Sequence, residues 1–217
     1  LKTSPHFLTF CRNYKTENGL PSGVVYSVNQ DKDGYLWVGT TEGLTRFDGF
    51  KFYEVQFPDS SAGRYPTVSM KDKNGILWFG CNDGSVFYTA GRILKQVILS
   101  NSSGTGISSI LEGPDGYIYV IPQRKPVYRI DPKKPAESEI ITFRPDPGMF
   151  SATFTDSGEM LVGTQENLII CKVAGDSLAA SGAVEGFDYS SITSINRMNN
   201  NTFIIGTDGN GLFRLKL

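Results

Sequence analysis

Few side chains in this 217-residue sequence have the types and spacing that chemistry needs. The one histidine is His6, so a Ser-His-Asp or Cys-His arrangement can form in only one place, and no nucleophile or orienting carboxylate stands near it at a telling spacing. An exposed histidine close to a terminus is the plainer expectation. Cleavage of a glycosidic bond requires two carboxylates facing each other across a pocket. Asp33, Asp48, Asp115 and Glu166 are candidates, yet most lie in turn sequences, where aspartate is favoured because its carboxylate hydrogen-bonds nearby backbone. Cys11, Cys81 and Cys171 are far apart and form no CxxC pair or metal-ligand spacing, so they read as small buried apolar residues. The stretch "DKDG" at 31–34 opens like a calcium loop, but its glycine arrives two positions too early. No metal or cofactor site is expected.

The elements carrying these residues follow from composition and periodicity. With 39% hydrophobic and 20% charged residues the chain can bury a sizeable core, and 24 glycines and 11 prolines spread from end to end indicate frequent turns. A formal charge of −1 lacks the positive field that phosphate-backbone binding requires, so nucleic acid is not an expected partner. The apolar runs, such as "LIICKVAG", are too short to span a bilayer, and no signal peptide opens the chain. Because residue 1 is leucine, a processed or truncated piece is expected.

Turn signals recur at a fixed interval. Gly34, Gly75, Gly116, Gly158 and Asn201 are separated by 41, 41, 42 and 43 positions. Three residues past each marker stand Trp37, Trp78, Tyr119, Leu161 and Ile204; five past it stand Gly39, Gly80, Ile121, Gly163 and Gly206. Asn-Gly and Asp-Gly suit the positive φ angles of a two-residue hairpin, so each marker is expected to join two antiparallel strands. Positions three and five past the marker share one face of the second strand, because side chains alternate with period two. A bulky ring beside a glycine leaves room for a side chain of the neighbouring sheet, which predicts interlocking repeats. A third strand follows, as in "GLTRFD" and "GSVFYTA", and a fourth, as in "FKFYEVQF" and "ILKQVIL".

Four strands repeated every ~42 residues match the blade of a β-propeller. The fold class is therefore all-β, with blade repeats at about 24–57, 65–99, 107–143, 150–187 and 191–217 in a single propeller domain or part of one. The last repeat ends after its third strand, and residues 6–14, "HFLTFCRNY", have the alternation of a detached outer strand that would close the ring. Spacing leaves open whether five blades close or form an arc of a larger ring.

The stretch "GLPSGVVYSVNQDKDGYLWVGTTEGLTRFDGFKF" (19–52) resembles the two-component regulator propeller repeat, through Gly19, Leu20, Val25, Asp31, Gly34, Trp37, Gly39, Thr40, Gly43, Leu44, Arg46, Phe47, Asp48 and Gly49. The second repeat keeps "DKNGILWFGCNDG" and the last keeps "IIGTDGNGLFRL", whereas the third and fourth depart from the pattern. The same turn also resembles the Asp-box of sialidase-type propellers, which implies a structural role for Asp31 and Asp33. The regulator resemblance implies part of a seven-bladed ring in the periplasmic sensor region of a hybrid two-component system. It further implies an oligosaccharide ligand, downstream immunoglobulin-like and histidine kinase modules, and a homodimer. A propeller lyase or glycosidase, and a protein-interaction scaffold, remain the alternatives.

In such a frame the rings and glycines at repeat positions build the structure, and ligand contacts belong where repeats differ. The turns between second and third strands and the connections between blades gather on one rim, a usual ligand face. The residues there that suit a hydroxyl-rich or anionic sugar are Arg64, Tyr65, Asn82, Asp83, Gln123, Arg124, Lys125, Gln165, Glu166, Asp208 and Asn210. Arg124 and Lys125 replace small repeat residues with two cations that could pair with a uronate or sulfate.

Overall fold

The computed structural model describes residues 11–59, 63–99, 104–135, 137–141, 148–175, 177–187, 190–199 and 201–217. After a short 3-10 turn (Thr16–Asn18), these residues form antiparallel sheets whose strands follow one another in chain order. The first sheet holds β1 (Val25–Gln30), β2 (Leu36–Thr40), β3 (Gly43–Phe47) and β4 (Phe52–Val55). The second holds β5 (Pro66–Lys71), β6 (Leu77–Cys81), β7 (Val86–Ala90) and β8 (Ile93–Val97). The third holds β9 (Ile107–Glu112), β10 (Ile118–Pro122), β11 (Val127–Ile130) and β12 (Ser138–Ile141). The fourth holds β13 (Met149–Phe154), β14 (Met160–Thr164), β15 (Leu168–Ala174) and β16 (Ser177–Ala183). The fifth has three strands, β17 (Ser191–Asn199), β18 (Thr202–Asp208) and β19 (Leu212–Lys216).

The first strand of each sheet packs on the first strand of the next, from β1 through β5, β9 and β13 to β17. The sheets are thus blades of a β-propeller, arranged with their first strands innermost. Among the described residues no comparable packing returns from β17 to β1, so the blades form an arc. Its starting face leaves Val24 and Val28 half exposed at 50% and 53%.

Each core lies between two blades. Trp37 and Leu44 of the first pack with Leu77, Phe79 and Phe87 of the second. Trp78 and Val86 meet Ile107, Ile118 and Tyr128 of the third. Tyr119 and Ile121 meet Met149, Phe154 and Met160 of the fourth. Leu161 and Leu168 meet Ile192, Phe203 and Ile205 of the fifth. The interlocking expected from the ring-and-glycine pattern is present. A Cβ on Gly80 would stand 2.6 Å from Cβ of Ile107, and one on Gly163 would stand 2.4 Å from Cγ2 of Ile192, both in the next blade. Gly39 likewise faces Pro66. At Gly206, the last of the series, the nearest atoms belong to Thr193 and Ser194 of its own blade.

Three expectations change. The turn glycines and Asn201 do take positive φ, and Asn201, at 55°, is the sole non-glycine among the described residues that does. The connection is nevertheless longer than a two-residue hairpin: the Asp31 amide donates to the Tyr35 carbonyl and the Gly34 amide returns to Asp31. Only the glycine is left-handed, and an aspartate side chain does the rest. Secondly, within the proposed outer strand 6–14, residues 11–14 form no strand, and Tyr14 packs edge-on to Phe47 and Phe52 of the first blade. Residues 6–10, including His6, lie outside the described residues. Thirdly, Cys81 and Cys171 are buried but Cys11 is exposed, and all three are free thiols.

Candidate functional site

The two rims differ in what their turns do. On one lie the first-to-second strand turns, which in blades one to four are tied by an acidic or hydroxyl side chain of the same turn. Asp31 accepts the amides of Asp33 and Tyr35 on one oxygen and the Trp37 indole N–H, at 2.8 Å, on the other. Asp72 repeats this with Asn74, Ile76 and Trp78, the indole at 3.0 Å. Blade three has glycine at that position, Gly113, and rebuilds the tie from the far side: Asp115 accepts the Tyr117 amide and the Tyr119 hydroxyl, at 2.7 Å. Burial and then this bond to Asp115 hold the Tyr119 phenol well above its ordinary pKa. In blade four, Thr155 Oγ1 accepts the Glu159 amide. Asp48, in the turn between β3 and β4, accepts the Lys51 and Phe50 amides and the Tyr53 hydroxyl, and these bonds lower its pKa. Asp31, Asp48 and Asp115 are therefore turn anchors, and Asp33 contributes its amide.

The other rim gathers the second-to-third strand turns with the connections between blades. The Asn82 amide donates to the Tyr65 carbonyl, the Gly104 amide to Asp83, the Gln123 amide to Gly106, the Met149 amide to Gln123 and the Ser190 amide to Glu166. Threonines close several of these turns: Thr164 Oγ1 donates to the Asn167 carbonyl and Thr207 Oγ1 to Gly211. This is the face on which the sequence places the candidate ligand contacts.

Four of those candidates form one network at blade two. Arg64 has a side chain only 6% exposed, donates from Nε to Asp83 at 2.7 Å and from Nη1 to Asp59, and lies over the rings of Phe87 and Phe57. Burial works against its charge, but the two carboxylates outweigh it and its pKa is raised. For Asp83, burial pushes upward, yet bonds from Ser85 and Arg64 hold its carboxyl below the usual range. Asn82 accepts the Tyr65 amide and donates to the Gly63 carbonyl. Arg64, Asn82 and Asp83 thus spend their polar atoms fixing the connection between blades one and two. The Tyr65 ring takes no part in these bonds; the residue is half-buried, and its ring is met by Tyr26, which the sequence did not single out.

Tyr26 arrives there through a β-bulge. Every innermost strand carries one near its start, at Tyr26, Thr67, Ser108, Phe150 and Thr193. A bulge re-aims a side chain at a strand end. Thr67 and Ser108 use it to donate to carbonyls, Thr67 to Ile107 of the next blade and Ser108 to Ile121. Tyr26 instead stacks on Tyr65, with centroids 5.3 Å apart and planes at 17°, and stays 48% exposed. The neighbouring Tyr26 raises the Tyr65 phenol pKa. This gives the rim a flat, preformed aromatic surface.

The other candidates are spread around the arc. Gln123 and Arg124 are exposed and Lys125 half-buried on blade three, Gln165 and Glu166 are exposed on blade four, and Asp208 and Asn210 are exposed on blade five. Asn210 donates to Ser190 Oγ. Burial pushes the Cys81 and Cys171 thiols up to about 12, so neither is a thiolate near neutral pH. Among the described residues no three His, Cys, Asp or Glu side chains converge to hold a metal.

Residues 19–42 match the family model of the two component regulator propeller, so this chain carries that repeat in its first blade. Histidine kinase P4 of Formosa agariphila is 42% identical over 53 residues, 24% of this chain and 4% of that protein. In fold, the chain resembles the extracellular domain assigned to a hybrid two component system of B. thetaiotaomicron, with a TM-score of 0.67 and 19% identity over 95% of this chain and 35% of that one. It also resembles virginiamycin B lyase of Staphylococcus aureus, with a TM-score of 0.72 and 14% identity over 91% of this chain and 68% of that one. The fold is a β-propeller.

Proposed function

We propose that this chain belongs to the sensor region of a hybrid two-component system. In this reading it lies outside the cytoplasm, detects an oligosaccharide or polysaccharide breakdown product, and signals to a histidine kinase in the same protein. The reading rests on the regulator repeat carried in the first blade and on the similarity of a 53-residue stretch of the chain to a histidine kinase. On the ligand side it is supported by the stacked Tyr26–Tyr65 pair, since a flat aromatic face suits the apolar face of a pyranose, with the exposed amides and charges of Gln123, Arg124, Gln165 and Asn210 farther along the rim. Sensing requires that ligand bind two signalling states unequally. Further blades, immunoglobulin-like and kinase modules, and a homodimer would transmit that difference.

A lyase reading draws on the Staphylococcus aureus neighbour, which a histidine-to-alanine substitution renders catalytically inactive. Here the one histidine, His6, precedes every blade. Calorimetry of the full-length protein against a panel of neutral and acidic oligosaccharides tests the sensor reading. Saturable binding without turnover, weakened at least tenfold by Tyr26→Ala, is the expected result. Turnover of a bound sugar, or no binding to any member of the panel, would overturn it.

A further inference from the structure

The opposite side of blades one and two holds positive charges that form no salt bridge among the described residues. Arg46, on β3, places its guanidinium carbon 4.4 Å from the centroid of Tyr35, and Arg92, from the turn before β8, comes within 5.8 Å of the same ring. Lys51 lies over Tyr53 at 5.5 Å. Among the described residues, none of the three cations has a salt-bridge partner. Arg46 and Arg92 line a cleft of about 300 Å³ together with Tyr53, Glu54 and Gln56.

An arginine over a tyrosine is in part a repeat feature, because Arg129 lies over Tyr117 in blade three at 4.8 Å. There, however, the guanidinium also donates to the Gly175 carbonyl. Among the described residues Arg46 makes no such bond, and a second guanidinium joins it from the adjacent blade. A guanidinium presents a planar fork of N–H donors that matches a carboxylate or sulfate in two parallel bonds, and stacking on a ring holds the fork in place before ligand arrives.

From this geometry we infer that the cleft between blades one and two is a binding site for an oxyanion, carboxylate or sulfate, gripped by Arg46 and Arg92. It is distinct from the tyrosine rim and does not rest on the sensor reading. Glu54, which lines the same cleft and accepts a bond from Gln56, opposes an anion and sets the affinity low.

Calorimetric titrations of the full-length protein at constant ionic strength, with sulfate, glucuronate and glucose, test the site. Sulfate or glucuronate should bind saturably and glucose should not. Tighter glucuronate marks a ring-borne anion and tighter sulfate a free one; either supports the site. Arg46→Ala also strips packing from Tyr35, so Arg92→Ala, on an exposed turn, is the deciding variant. It should weaken anion binding about tenfold, the size expected for one charge-assisted contact, while Glu54→Gln strengthens it about threefold. Absence of saturable anion binding, equal binding of glucose, or an Arg92→Ala titration matching that of the unaltered protein would each overturn the proposal.

Discussion

Blades two and three stand side by side and solve the same two problems with different residues. Blade two ties its first turn with Asp72, buried at 4% exposure, and clears space for its neighbour with Gly80. Blade three has Gly113 and Ile121 at those positions. The turn survives because Asp115 and a tyrosine long enough to reach it replace the aspartate–indole pair, and Tyr119 occupies the space that an aspartate side chain would take. The interface survives because Ile121 packs with Met149, an unbranched and adaptable partner, where Gly80 faces the β-branched Ile107. What these two blades share is the geometry: a left-handed residue at the turn, a ring bonded to an acceptor below it, and complementary volumes between sheets.

The largest test of that difference is volume at the two interfaces. Gly80→Val should cost about 3 kcal/mol or more in chemical denaturation, because its Cβ alone lands 2.6 Å from Ile107, between two sheets that cannot separate without opening the core. Ile121→Val in blade three should cost only about 1 kcal/mol. Equal losses would show that the glycine is not what fits the blades together.

Next in size is the turn anchor. Asp72→Ala leaves two backbone amides and a buried indole N–H without their acceptor, for an expected loss of about 2–3 kcal/mol. Restoring the repeat residue in blade three, Gly113→Asp, should also destabilise, by about 1–2 kcal/mol. Its Cβ would stand 2.5 Å from both Asp115 and the Tyr119 ring. A stabilised Gly113→Asp would mean that blade three is a weakened copy, and not a rebuilt one.

These contrasts explain what could be read from the chain. The period, the turn markers and the interlocking glycines are local and were legible, because each follows from the residue at one position and a spacing of two or about 42. The compensation in blade three was not, since it depends on the reach of Tyr119 to a carboxylate displaced by two residues. The tyrosine pair was hidden for a different reason. Tyr26 reads as one more strand residue, and only the bulge between Val25 and Ser27 turns it toward Tyr65. Arg64 and Asp83 read from the sequence as two separate ligand contacts, because nothing in the types of two residues 19 positions apart reveals that they answer each other.

The smallest effect separates the two blades by acid. In blade two the Asp83 carboxylate pairs with Arg64, and its native pKa lies below the ordinary value of ~3.9. A group depressed in the folded state contributes stability that is present above the unfolded pKa and lost as pH falls through the native one. Blade three has Arg124 on the same rim with no carboxylate partner among the described residues, so no matching pH-dependent contribution is expected from it. Thermal melts should therefore show Asp83→Asn less stable than the unaltered protein by about 1 kcal/mol or less near neutral pH, the pair being partly open to solvent and screened. The gap should close below about pH 4, while Arg124→Ala tracks the unaltered protein throughout. Subtracting the two melting curves cancels every other carboxylate. A gap that persists unchanged at low pH would assign the loss to the Ser85 turn bonds, and the Arg64–Asp83 pair would no longer be what distinguishes the rim of blade two.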